Sequence, residues 1–235
     1  VNSAQDNPNL AQLVSAAAKL EPLLDKIAFV GGCVTGLLIT DPASAPVRPT
    51  LDVDVIVEAA SYAAFTILEA ELRRIGFRES RTEGAPICRW VNGDLLLDFM
   101  PTDPSILGFS NRWYPAALEH AEKVTIGDCV IRVITAPYFV ATKMEAFQGR
   151  GRADFRMSHD LEDIITIVDG RPELASEVHR SPADLRKYLS DNFAKLLSDR
   201  DFLEALPGHL LPDAASQQRF GLVWRRMKDL ITEGP

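Results

Sequence analysis

The sequence predicts an α+β chain, with an α/β half over residues 1–135 followed by a mostly helical half over 136–235. Three observations carry this. Leu51 to Glu58 alternates strictly, as a strand with one buried face must. Asn92-Gly93 and Gly127-Asp128 each stand between two apolar runs, the pattern of tight hairpin turns. After Pro137 the apolar residues recur at helical spacing almost throughout.

In chain order, Leu10, Leu13, Val14, Ala17, Leu20 and Leu24 predict an amphipathic helix over Pro8 to Leu24. Ile27 to Val30 reads as a short buried strand ending at Gly31-Gly32, and Cys33 to Ile39 as a helix that opens on the glycine pair. Asp41 to Pro49, with three prolines, is a loop. The strand from Leu51 places Leu51, Val53, Val55 and Val57 on one face and Asp52, Asp54 and Ile56 on the other. Ser61 is an N-cap for a helix running to Ile75, which Gly76 stops. With its turn at Asn92-Gly93, the first hairpin sets Ile87 opposite Asp98, and Asp94, Leu96, Asp98 and Met100 share a face. The second hairpin joins Lys123 to Ile126 with Cys129 to Ile134. Helices are then expected over Pro137 to Gln148, Ser158 to Val168, Pro172 to Val178, Ser181 to Leu197 and Ala214 to Ile231.

Composition narrows the function classes. No apolar run approaches the roughly 20 residues a membrane span needs, and no basic segment followed by an apolar one opens the sequence, so no membrane partner is expected. Three cysteines at wide spacing, Cys33, Cys88 and Cys129, indicate neither a disulfide framework nor a zinc ribbon and fit a cytoplasmic protein. A formal net charge of -8 opposes a general nucleic-acid coat, leaving only local basic patches for such a partner. Of two such patches, Arg73, Arg74, Arg78, Arg81 and Arg89 are interleaved with Glu71, Glu79 and Glu83 and read as solvated surface. Lys143, Arg150, Arg152 and Arg156 form the other.

The chemistry-bearing residues lie in sequence order. Asp52 and Asp54, two apart on a strand, project from one face and can share a divalent cation; hard carboxylate oxygens suit Mg2+ or Mn2+. Asp-x-Asp alone also describes a solvent-facing strand. Gly31-Gly32 lies between a strand and a helix start, where backbone N–H groups can receive a phosphate, although glycines often serve turns alone. Asp98 is an acidic residue inside the apolar run Leu95 to Phe99, and a buried charge needs a partner. Lys143 shares its helical face with Phe139, Val140 and Phe147; it either snorkels to solvent or points inward, where a triphosphate would be a counter-charge.

The ordered set Gly31-Gly32, Asp52-x-Asp54, Asp98, Lys143, Asp160 and Asp163 resembles the nucleotidyltransferase superfamily, nearest its AbiEii/AbiGii toxin-like branch, over Phe29 to Gly170. The resemblance implies a nucleotidyltransferase-like mixed sheet with flanking helices, bearing the carboxylates, then a helical domain. It implies transfer of a nucleoside monophosphate from a nucleoside triphosphate to an acceptor hydroxyl, with release of pyrophosphate. Asp52, Asp54 and Asp98 would hold Mg2+ or Mn2+, Asp98 would also position or deprotonate the acceptor, and Lys143 would contact the triphosphate. Asp160 and Asp163 would sit near nucleotide or acceptor. Two metal ions about 3.5 to 4 Å apart would stabilise the attacking and leaving oxygens of an in-line displacement. A transfer RNA acceptor and an antitoxin protein are the partners the toxin branch implies. Cys33 departs from the family where a small hydroxyl residue often follows the glycines, with Thr35 as a substitute hydroxyl, and His159 departs where lysine is common.

Other readings compete. His159-Asp160 with His120 suggests a metal phosphohydrolase, though Ser158 capping a helix explains the same residues. An Asp-x-Asp glycosyltransferase using a nucleotide sugar fits the early glycines and Lys143 poorly. A degenerate member of the same fold would bind nucleotide or a partner without transfer; Cys33 favours it and retention of all three aspartates opposes it. Trp90, Trp113 and Trp224 are expected in core or interface, and Phe109 to Tyr114 in a packed loop.

Overall fold

The computed structural model describes residues 8–150 and 154–231. Its elements in order are α1 (Leu10–Lys19), β1 (Ile27–Val30), α2 (Thr35–Leu38), β2 (Asp52–Val57), α3 (Tyr62–Arg74), β3 (Arg78–Glu79), β4 (Arg89–Asn92), β5 (Leu95–Pro101), α4 (Pro104–Leu107), α5 (Tyr114–Glu119), β6 (Glu122–Ile126) and β7 (Cys129–Val133). They continue with α6 (Ala136–Arg150), α7 (His159–Gly170), α8 (Leu174–Arg180), α9 (Ala183–Ser198), α10 (Arg200–Ala205), α11 (Ala214–Gln218) and α12 (Phe220–Asp229). The class is α+β. The chain forms two compact units, Val1–Gly36 with Arg48–Thr135, and Leu37–Val47 with Ala136–Pro235. None of the described helices is long and apolar enough to cross a membrane.

In the first unit the described strands form one mixed sheet in the order β3-β4-β5-β2-β1-β7-β6. β2 runs parallel to β5 and antiparallel to β1, so the aspartate strand is central and its register is fixed on both sides. Ser61 caps α3 by accepting from the Ala64 N–H at 3.2 Å, an interaction worth about 1 kcal/mol. Phe65 of α3 stacks on Phe99 of β5 with centroids 5.8 Å apart. Because strand side chains alternate, that contact assigns α3 to the face opposite Asp98. Val53, Val55 and Leu97 are fully buried, while Leu51, expected with them, is 84% exposed because it lies just outside the strand.

Both hairpins form. The second turns at Gly127-Asp128 as predicted. The first turns one residue later than predicted, at Gly93-Asp94, because Asn92 is itself paired with Leu95. Gly93 has φ +63°, consistent with a glycine at the first central position of a two-residue turn. Moving a turn by one residue moves the pairing by two, so Arg89, and not Ile87, stands opposite Asp98; Ile87 is exposed, and Asp94 belongs to the turn.

The second unit is helical. The predicted helix over Ala214 to Ile231 is broken at Arg219 into α11 and α12, and α10 occupies a stretch with no predicted element. At the break, Arg219 donates to Asp169 at 2.7 Å and to Asp41 at 2.8 Å, with Arg226 a further 3.6 Å from Asp41. The Leu37–Val47 segment is thus tied to α7, where the Thr40 and Asp41 N–H groups also donate to the Gly170 carbonyl, each at 2.9 Å.

The hydrogen bond from Arg219, aided by the Ala43 N–H, holds the Asp41 carboxyl below its ordinary value. A carboxylate depressed in the folded state adds stability that is fully present above its unfolded value, about 3.9, and lost as pH falls through the lower folded value. Asp41→Asn should therefore unfold at lower urea than the parent at pH 7, and the gap should narrow below about pH 4. Urea midpoints measured from pH 7 to 2.5 test this; a gap constant across that range would contradict it.

Candidate functional site

β2 and β5 bring the predicted carboxylates together. Asp54 is paired in register with Asp98 across the parallel strands, and Asp52 precedes Asp54 by two on the same face. Asp98 is only 7% exposed. The partner that its burial requires comes from β4: Arg89 Nε donates to Asp98 Oδ1 and Nη2 to Oδ2, both at 2.8 Å. The same Nη2 donates to Asp52 Oδ2. Its hydrogen bond to Asp98 holds the Arg89 guanidinium above its ordinary value, so the charge is permanent. Arg89 is thus part of the site and not of the solvated arginine surface. The signal that could have found it is the alternation of the hairpin with the turn placed at Gly93-Asp94.

Gly31 ends β1 beside this cluster, one residue after Val30, which pairs with Asp54. Its φ of +71° suits glycine, and a Cβ would collide with Asp54 Oδ2 and lie 2.7 Å from Asp54 Cγ. The Asp54 carboxylate therefore rests on bare backbone. Gly32 begins a 3-10 turn, Gly32–Val34, and not the longer helix predicted from Cys33. The Cys33 thiol is buried and donates to the Val30 carbonyl at 3.1 Å, so it packs against the strand end. Thr35 is buried, and its hydroxyl has no hydrogen-bond partner among the described residues. Next to Arg89, burial and then the charge of Asp98 push the Cys88 thiol up to about 12, so it stays protonated.

Lys143, Asp160 and Asp163 form a second cluster, within the helical unit. Lys143 Nζ on α6 lies 2.7 Å from Asp163 Oδ2 and 3.2 Å from Asp160 Oδ1, both on α7. The inward lysine thus has carboxylates as counter-charges, and the trio links two helices. Removing one member of a buried ion pair leaves the others uncompensated. Lys143→Ala should lower stability by about 3 kcal/mol, read from urea unfolding; a loss under about 1 kcal/mol would show that the trio is not structural.

His159 is 71% exposed in its side chain and pairs with Glu162, 3.0 Å away, beneath the Ser158 cap; His120 is exposed and bonds the Ala116 carbonyl. Neither histidine belongs to a group of three metal-ligating side chains among the described residues. Trp90 and Trp113 are buried, whereas Trp224 is partly exposed beneath Lys228. The Arg150 side chain and Arg152 lie outside the described residues, and Arg156 is exposed.

Among the described residues no three His, Cys, Asp or Glu side chains stand as a ready-made metal cage. Mg2+ seldom uses one. It is commonly held by one or two carboxylates, with water and substrate phosphates completing the octahedron. Asp52 and Asp54 fit that need: their oxygens are hard donors on one strand face, and the missing Cβ of Gly31 is what lets the Asp54 carboxylate lie where it does.

No family model matches the sequence, and no curated protein does. Solved structures do. One is a nucleotidyltransferase-like antigenic protein from Paracoccidioides brasiliensis, 19% identical, with 88% of this chain and 94% of that chain covered at a TM-score of 0.49. Another is a candidate nucleotidyltransferase from H. pylori, 12% identical, with 97% and 96% covered at a TM-score of 0.47.

Proposed function

We propose that this chain is a divalent-metal-dependent nucleotidyltransferase that moves a nucleoside monophosphate from a nucleoside triphosphate to an acceptor hydroxyl. The observation that carries the reading is the placement of Asp52, Asp54 and Asp98 on one face of two neighbouring strands, with Gly31 bare against Asp54. Asp52 and Asp54 would hold Mg2+ or Mn2+, which when bound polarises phosphate oxygens and neutralises charge in the displacement. Phosphate would be received by backbone N–H groups of the Gly31-Gly32 turn once the Asp54 carboxylate, which now lies against Gly31, turns to the ion. Asp98, once released by Arg89, orients the acceptor hydroxyl and accepts its proton. Pyrophosphate leaves.

A specific observation favours a second reading. Arg89 occupies both oxygens of Asp98, which in a non-catalytic nucleotide binder of the same fold would be permanent. One experiment separates the two. Purified protein is incubated with Mg2+ and each α-labelled nucleoside triphosphate, with and without total bacterial RNA, beside the Asp52→Ala/Asp54→Ala double variant. Label entering RNA, protein or a small product only with the aspartates intact supports transfer and identifies the acceptor class. Transfer RNA is the acceptor we propose, and an antitoxin protein the partner. Metal-dependent nucleotide binding with no label in any product supports the second reading.

A further inference from the structure

We infer that Arg89 is an internal counter-cation that withholds Asp98 from the divalent ion, so that the resting ion is held by Asp52 and Asp54 and its affinity is set by exchange with the guanidinium. The inference rests on the metal site proposed above and adds to it a residue that positions the third carboxylate.

Two observations support it. First, the guanidinium spans both Asp98 oxygens at 2.8 Å and reaches Asp52 Oδ2 with the same Nη2. A planar fork meeting both oxygens of a carboxylate leaves that carboxylate poorly placed to ligate a cation on the same face. Second, the contact is built into the backbone. The turn at Gly93-Asp94 fixes Arg89 directly across from Asp98, so no flexible loop has to deliver it. The Arg89 side chain is 20% exposed, so water reaches it and exchange requires no unfolding.

The consequence is a dependence that only this arrangement produces: Asp98 should matter to ion binding when Arg89 is gone, and hardly at all when it is present. Mn2+ binding is titrated by calorimetry and by electron paramagnetic resonance, without nucleotide, for the parent, Arg89→Gln, Asp98→Asn and the double variant. Arg89→Gln should tighten Mn2+ at least tenfold. Asp98→Asn should change the affinity of the parent by less than threefold but abolish the tenfold gain in the Arg89→Gln background. Should Arg89→Gln fail to fold, Arg89→Lys keeps the charge without the two-oxygen grip and should give a smaller tightening in the same direction. Tenfold weakening by Asp98→Asn in the parent, or unchanged affinity in a folded Arg89 variant, overturns the inference and leaves the metal site standing. No Mn2+ bound at millimolar concentration by any folded variant overturns the metal site itself.

Discussion

Asp54→Asn should abolish the proposed nucleotidyl transfer while leaving the thermal unfolding temperature within a few degrees of the parent. The loss is expected to reach at least about 10³-fold, since even one transition-state hydrogen-bond donor is worth on the order of 10² to 10³. The fold should survive because amide replaces carboxylate at equal volume, and β2 keeps its pairing with β1 and β5. Asp52→Asn should act in the same direction. It leaves Arg89 anchored on Asp98, so it too should fold. Measurement needs only the labelled-nucleotide assay and a melting curve on the same preparation. Full activity in Asp54→Asn would remove this aspartate from the chemistry, and an unfolded variant would mark it as structural.

Gly31→Ala should be severely damaging for the addition of a single methyl group. Two costs combine. The backbone at φ +71°, ψ -169° lies in an extended region that is essentially glycine-only, at a cost of roughly 1 to 3 kcal/mol for any L side chain. In addition, the new Cβ would stand where the Asp54 carboxylate now lies, with Asp54 Cβ, Cγ and Oδ2 all inside 3.0 Å. Either the strand end shifts or Asp54 rotates out of the cluster. The expected result is loss of Mn2+ binding together with a drop in stability of about 2 to 6 kcal/mol, where overpacking alone costs typically 1 to 3. Gly93→Ala is the control: its φ is also positive, but a Cβ there meets nothing within 4 Å, so it should cost stability and leave ion binding alone. Equal ion affinity in Gly31→Ala and the parent would show that Asp54 does not depend on the bare backbone.

The fold was legible where one physical constraint dominated. Alternation through Val53, Val55 and Val57 gave β2 because a central strand has to bury a face, and Ser61 and Ser158 gave helix starts because a free N–H needs an acceptor. Asp98 was legible as a charge in an apolar run that needed a partner. The partner's identity was not. Asn92-Gly93 and Gly93-Asp94 both satisfy the chemistry of a two-residue turn, and only the pairing of whole strands decides between them. On that single residue hung whether Arg89 belonged to the surface or to the site. Lys143 shows the opposite limit: its apolar face told that the helix was buried there, but not that Asp160 and Asp163, seventeen and twenty positions on, would meet it. The ion pairs of Arg219 were not legible either, because Asp41 and Asp169 lie far away along the chain.

The Leu37–Val47 segment gives the second unit an unusual assembly problem. Its fastening joins Asp41 to Arg219 across 178 positions of sequence. Contacts that distant form late, because the intervening chain must surrender its freedom before they return any stability. As the polypeptide emerges during synthesis, residues 37–47 therefore wait for most of the protein to follow before their anchor exists. An N-terminal fragment ending at Thr135 would carry the same segment with its binding partners removed, and with Ile39 no longer lying over Gly170. Cutting this protein between its strands and its helices thus yields one piece with a loose loop and another with an unfilled gap, a reason to express the two together.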